Sequence, residues 1–132
     1  MGTRSLTVFK NENGKEIAVL YRQSDGYPEG HGKELADFLA NKKIVNGIDP
    51  GKNERQKIFN GMGCLTASVV SYFKKEVGNF YLHSAGTRNC GEDYTYILSG
   101  KIGEEVKIKV LDFDGYASEY ELWLADYLKK EE

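Results

Sequence analysis

Asn13-Gly14 lies between two β-rich apolar runs, residues 5–9 (SLTVF) and 16–22 (EIAVLYR), and no other feature restricts the fold as much. An Asn-Gly pair readily takes the left-handed backbone of a tight turn, so the two runs are expected to form an antiparallel hairpin. With a three-residue loop ending in Gly14, Leu6, Val8, Ala18 and Leu20 share one face. Phe9, Ile17, Val19 and Tyr21 share the other. Both faces are then apolar, which places the hairpin inside a sheet or against a second chain. The same register sets Arg4 across from Arg22, whereas a two-residue loop pairs Arg4 with Gln23.

Helical spacing follows. Leu35, Phe38 and Leu39 recur within KELADFLANK, and Ile58, Met62, Leu65, Val69, Tyr72 and Phe73 recur between about residues 54 and 76, with a break or bend expected at 61–63. The intervening IVNGIDPGKN reads as a loop. Residues 79–83 (NFYLH), 93–98 (DYTYIL) and the run EVKIKVLDF read as antiparallel strands, the last with Val106, Ile108 and Val110 alternating with Lys107 and Lys109. Ser118 and Glu121 have capping-box spacing ahead of LWLADYLKK, where Tyr120, Trp123, Leu124, Tyr127 and Leu128 make an apolar stripe. The expected architecture is α+β: an N-terminal hairpin, two helices, antiparallel strands and a C-terminal helix packed on one sheet. At 132 residues, the chain 1–132 is expected to form a single globular domain.

Composition bears on partners. Hydrophobic residues at 40% and charged residues at 29% match a soluble globular protein. No apolar run reaches bilayer length, and the N-terminus lacks a signal-peptide pattern, so a cytoplasmic location without membrane association is expected. A net charge of −2 supplies no nucleic-acid signal. Cys64 and Cys90 read as free thiols. With His31 and His83 they lack CxxC or HxxxH spacing, so no metal site is expected. Walker and GxGxxG motifs are missing from the sequence, and no cofactor is expected.

Residues 25–35 (DGYPEGHGKEL) carry the chemistry of interest. Arg22 leads into this glycine loop and the loop leads into a helix, whose free amides and dipole favour an anion. The second irregular loop, HSAGTRNCGEDY, adds donors. The expected binding set is Arg4, Arg22, Asp25, Tyr27, Gly30, His31, Gly32, Arg88 and Asn89, converging on one concave surface with Arg4, Arg22, His31 and Arg88 at its rim. In the bland alternative Asp25 caps, Pro28 fixes a turn, the arginines are solvated and His31 is solvated or structural. On either view Arg22→Ala is expected to cost folding under about 1 kcal/mol. Asp25, Glu29 and Glu34 are candidate partners for His31 as an acid or base, but no nucleophile is identifiable and no catalytic residue is assigned.

At GTRSLTVF, LYRQSDGYPEGHGKELADFL and FYLHSAGTRNCGEDYTYIL the chain resembles a family of small uncharacterised proteins of bacteriophages and bacteria, which share GTRSL, YRQ-DGYP-GHG and AGTR-GEEY-like segments. The likeness covers most of the chain and departs at Cys90 and Asp93. It implies a cytoplasmic protein, in the host cytoplasm if phage-encoded, and little about function, since the family carries no assigned activity. The function expected first is non-enzymatic binding of a small anionic ligand such as a nucleotide, which by analogy serves to antagonise host defence. The alternatives are a homodimeric protein-interaction module and a small His-dependent hydrolase or transferase. A homodimer is expected from the two-sided apolar hairpin and nine tyrosines.

Overall fold

The hairpin closes as Asn13-Gly14 requires and then slips by one residue. Its strands are β1 (Ser5–Lys10) and β2 (Glu16–Arg22). The Asn11 amide donates to the Lys15 carbonyl at 2.7 Å and Gly14, at φ +85°, donates to the Asn11 carbonyl, enclosing a loop of Glu12, Asn13 and Gly14. Lys10 pairs with Glu16, yet Phe9 pairs with Ala18, so Ile17 is the extra residue of a β-bulge. Beyond it Val8 faces Val19, Leu6 faces Tyr21 and Ser5 faces Arg22. The loop length is the expected one, but Arg4 is not across from Arg22. A one-residue slip also exchanges faces. Leu20 packs with Phe9 on the inner face, and Val19 with Leu6 and Val8 on the outer one.

The computed structural model describes residues 2–40, 42–47 and 58–112. Its elements after the hairpin are a π-helical turn (Pro28–Gly32), α1 (Lys33–Leu39), β3 (Lys43–Val45), β4 (Ile58–Asn60), α2 (Gly61–Phe73), β5 (Phe80–Ser84), β6 (Tyr94–Ser99) and β7 (Lys107–Leu111). A five-stranded sheet runs β5-β2-β1-β6-β7, and β3 and β4 form a separate parallel pair. The fold is α+β. The large sheet is mixed rather than wholly antiparallel, because β6 lies parallel to β1. β5, expected among the C-terminal strands, instead pairs with β2 at the edge of the sheet.

Central β1 is buried on both faces. Inward, Phe9, Leu20, Tyr96, Leu98, Ile108 and Val110 meet Leu35, Ala36 and Leu39 of α1 and Met62, Leu65, Val69 and Phe73 of α2. Outward, Leu6, Val8 and Val19 pack with Tyr21, Cys90 and Ile97.

Two expectations need correction. Ile44 and Val45, read as the start of a loop, belong to β3, and of the helical pattern expected over 54–76 residues 58–60 form β4, with the break expected at 61–63 falling at Gly61, where α2 begins. Gly61 has φ +83°, a left-handed geometry that stops a helix from running through it. Ile58 falls in with the helical spacing of Met62 and Leu65, but within β4 it is Phe59 that turns into the core. The terminal helix expected at 118–128, and residues 54–57, lie outside the described residues.

Candidate functional site

Arg22 and His31, expected at the rim of a ligand cradle, are inside the protein, with 6% and 0% of their surfaces exposed. The register slip is one cause, since it turns Arg22 onto the inner face with Ser5 and Thr7. The loop is the other. Asp25, at φ +61°, turns the chain, and the Gly26 amide donates to the Thr3 carbonyl at 2.9 Å. A Cβ on Gly26 meets the Ser5 Cβ at 2.7 Å and its backbone nitrogen at 2.9 Å, so only glycine lets the loop cross β1 there. The Tyr96 hydroxyl donates to the Gly26 carbonyl at 2.7 Å, and the His31 amide to the Asp25 carbonyl at 3.1 Å. The π-helical turn carries His31 down into the core.

The expected anion cradle does not form. Gly32, ahead of α1, is itself helical (φ −59°, ψ −45°), so the turn runs straight into α1. The Lys33 amide is bonded back to the Gly30 and Pro28 carbonyls. Tyr27, not Asp25, stands at the cap position of the turn, without a side-chain bond to it. Gly30 is required by proximity, since a Cβ there lies 2.8 Å from the Asp25 carbonyl oxygen. Gly32 is buried and Tyr27 is exposed.

Around His31 the polar contacts are specific. Arg22 Nη1 lies 3.0 Å from His31 Nδ1, and Thr7 Oγ1 lies 2.7 Å from His31 Nε2. Arg22 also donates through Nε to the Ser24 carbonyl at 2.7 Å, and through its two terminal nitrogens to Glu34 at 3.4 and 3.5 Å. Its guanidinium lies 5.0 Å from the Phe80 ring centre and 5.7 Å from that of Phe73. The imidazole packs against Phe73 and Tyr96 at 4.8 and 4.9 Å.

These contacts decide what the imidazole can do. A guanidinium only donates, so Nδ1 accepts and Nε2 carries the proton. Nε2–H then donates to Thr7. A Thr-His pair resembling the nucleophile and base of a hydrolase thus has its proton on the wrong nitrogen, and His31 cannot deprotonate Thr7. Burial first, then the Arg22 charge, push the imidazole pKa down to about 3. Burial, followed by the Tyr94 charge, pushes the Tyr96 phenol up. Both rings are neutral members of a packed polar core.

The remaining expected residues lie elsewhere. Arg88 pairs with Glu16. Glu16 is opposite Lys10, which follows inward-facing Phe9 and so points outward. Arg88 is therefore on the face opposite His31, and the four rim residues do not converge. Its hydrogen bond holds the Glu16 carboxyl below the usual range. Arg4 lies beside Gly91, where a Cβ comes within 2.8 Å of the Arg4 Nη1. Asn89 takes a left-handed φ of +62°, and its amide and that of Cys90 are bonded by the Glu92 carboxylate. Thr7, Phe73 and Tyr96 were not among the expected residues. One signal for Thr7 is present in the sequence: Ser5 and Thr7 alternate with Leu6 and Val8, and a hydroxyl on a doubly buried strand usually takes a partner, as Thr7 takes His31 whereas the buried Ser5 Oγ has none among the described residues.

A second surface is open. The Gln23 amide donates to the Asn79 carbonyl at 2.8 Å, so by alternation the backbone groups of Tyr81 and His83 face β2 and those of Phe80, Leu82 and Ser84 point away from the sheet. The Phe80 amide bonds the Gly78 carbonyl at 2.7 Å, and the Phe80 carbonyl accepts from Lys74 Nζ at 2.9 Å. The Ser84 carbonyl accepts from the Thr87 hydroxyl at 2.7 Å. By that alternation the Leu82 amide and carbonyl, on an edge strand, point to no partner strand among the described residues. Leu82 is 60% exposed, Tyr81 47% and Val77, in the turn ahead of β5, 99%. Tyr21 connects this edge to the outer face, 6.1 Å from both Tyr81 and His83.

Among the described residues, no group of three or more His, Cys, Asp and Glu is placed to hold a metal ion, and no helix is long and apolar enough to cross a membrane. Comparison with family models, curated proteins and solved structures gave no match.

Proposed function

We propose that this protein is a non-enzymatic interaction module that receives another polypeptide as an added strand along the exposed edge of β5. The observation that carries this reading is Leu82: an exposed apolar side chain whose amide and carbonyl point out of the sheet on a strand with no charged residue. Such an edge is a template for backbone pairing, with side-chain pockets adding specificity. Exposed Val77 and Tyr81, both on the N-terminal side of Leu82, add to the exposed apolar surface.

The first-expected reading, a small anionic ligand held by Arg22 and His31, draws less support from the geometry. Arg22 is occupied by His31, Glu34 and the Ser24 carbonyl, and an anion has to displace a buried network to reach it. The hydrolase reading loses its base to the Nε2–H tautomer.

Selection from a random library of extended peptides tests the proposal. Peptides with alternating apolar residues are expected to bind, to shift the Leu82 and Ser84 amide resonances, and to lose binding to Leu82→Asp. Binders indifferent to Leu82→Asp would place the contact elsewhere.

A further inference from the structure

We infer that the strand added to β5 is the β5 of a second copy of this chain, running antiparallel about a two-fold axis at Leu82. The inference rests on the reading of β5 as the contact edge and names its occupant.

Backbone bonding selects the centre. With the axis at Leu82, its amide meets the carbonyl of the partner's Leu82, and the reverse bond forms by symmetry. In the same register the Ser84 amide, which by the alternation points away from β2 at the sheet edge, meets the carbonyl of the partner's Phe80. That carbonyl already accepts from Lys74 but keeps a second lone pair. Every outward donor not already used thereby finds an acceptor. Centring on Tyr81 leaves the Leu82 carbonyl facing a Phe80 amide that Gly78 already holds. Centring on His83 sends the Leu82 amide to the Ser84 carbonyl, which already accepts the Thr87 hydroxyl and amide.

Side chains agree with that centre. Leu82 shares the inner face with Leu20, so Leu82 and the partner's Leu82 meet there and bury apolar surface that each leaves exposed alone. On the outer face Tyr81 meets the partner's His83, continuing the contacts Tyr21 makes with both residue types within one chain. Phe80–Ser84 contains no charge to oppose its own copy. The other edge strand, β7, presents exposed Lys107 and Lys109, and like charges across a ladder repel. The two edges are therefore unequal, and self-pairing is directed to β5.

The test uses the full chain with Cys64→Ser and Cys90→Ser, which removes the native thiols. Leu82→Cys added to this background is expected to form a covalent dimer on mild oxidation, because directly opposed residues of a hydrogen-bonded antiparallel pair lie about 5.5 Å apart at Cα, within disulfide reach. His83→Cys, opposed by the partner's Tyr81 instead of its own copy, is expected to cross-link far less. In sedimentation, the wild type is expected to show a concentration-dependent dimer that Leu82→Lys converts to monomer without loss of the folded circular-dichroism signal. A dimer that survives Leu82→Lys, or cross-links equally through His83→Cys, overturns the inferred interface. A wild type that stays monomeric overturns self-pairing. If extended peptides still bind at Leu82 in that case, the edge reading stands with a different occupant, and if they do not, both readings fall together.

Discussion

Arg22 donates to His31 Nδ1 across 3.0 Å in the protein interior, and that one bond fixes which nitrogen of the imidazole carries the proton. The loop between them is a plug rather than a cradle. Its glycines let the backbone cross β1 and bring a histidine into contact with Thr7, Phe73 and Tyr96.

The first consequence is a pH dependence. Native His31 stays neutral down to about pH 3, whereas the unfolded imidazole protonates near 6.5. Between those values the unfolded chain binds one more proton, so this contribution is fully present above pH 6.5 and declines as pH falls, by up to about 1.4 kcal/mol per pH unit. Denaturant titrations from pH 7 to 5 should show the decline. Nitrogen NMR should find His31 as the neutral Nε2–H tautomer throughout, and a titration midpoint near 6.5 contradicts the geometry.

Arg22→Ala should destabilise the protein by about 2 to 4 kcal/mol, because it strips a buried donor from His31 and a counter-charge from Glu34. This reverses the near-neutral effect expected of a surface arginine. Arg22→Lys should restore little, since an ammonium cannot serve Ser24, His31 and Glu34 together. Chemical denaturation measures both, and a loss under about 1 kcal/mol for Arg22→Ala returns the residue to a surface role.

Gly26→Ala should cost about 1 to 3 kcal/mol through overpacking against Ser5. Removing the Ser5 side chain in the double variant with Ser5→Gly should recover part of the loss, because the opposing Cβ and hydroxyl disappear while the Ser5 backbone nitrogen remains 2.9 Å away. A double-mutant cycle measures the coupling. Strict additivity of the two substitutions means that the loop does not press on β1 at this point.

Glu12, in the hairpin loop, accepts the Met62 amide at 2.5 Å at the start of α2. A carboxylate there opposes the positive end of the helix dipole. Glu12→Ala should lower stability by about 1 kcal/mol, and Glu12→Gln by less because it keeps the acceptor but drops the charge. Thermal melts of the two variants rank the terms, and equal melting temperatures for all three proteins exclude a capping role.

Local chemistry makes much of this fold legible in the residues themselves. Asn13-Gly14 determined a hairpin and its loop length, the spacing of Leu35, Phe38 and Leu39 determined α1, and the alternation around Ile108 determined β7, because each depends on residues adjacent in the chain. The bulge at Ile17 is different. It inserts one residue after a correctly read turn, and whether a strand accepts it depends on both neighbouring strands and the core below. That single residue moved Arg22 from opposite Arg4 to opposite Ser5 and from a solvent-facing role to the inner face. The parallel pairing of β6 with β1 placed Tyr96 beside His31, an encounter between residues far apart in the chain that local periodicity cannot report. Residue types announced that Arg22, His31 and the glycines between them belong together; tertiary packing decided that they face inward, because a buried imidazole and a guanidinium satisfy each other only once the sheet and helices have excluded water from around them.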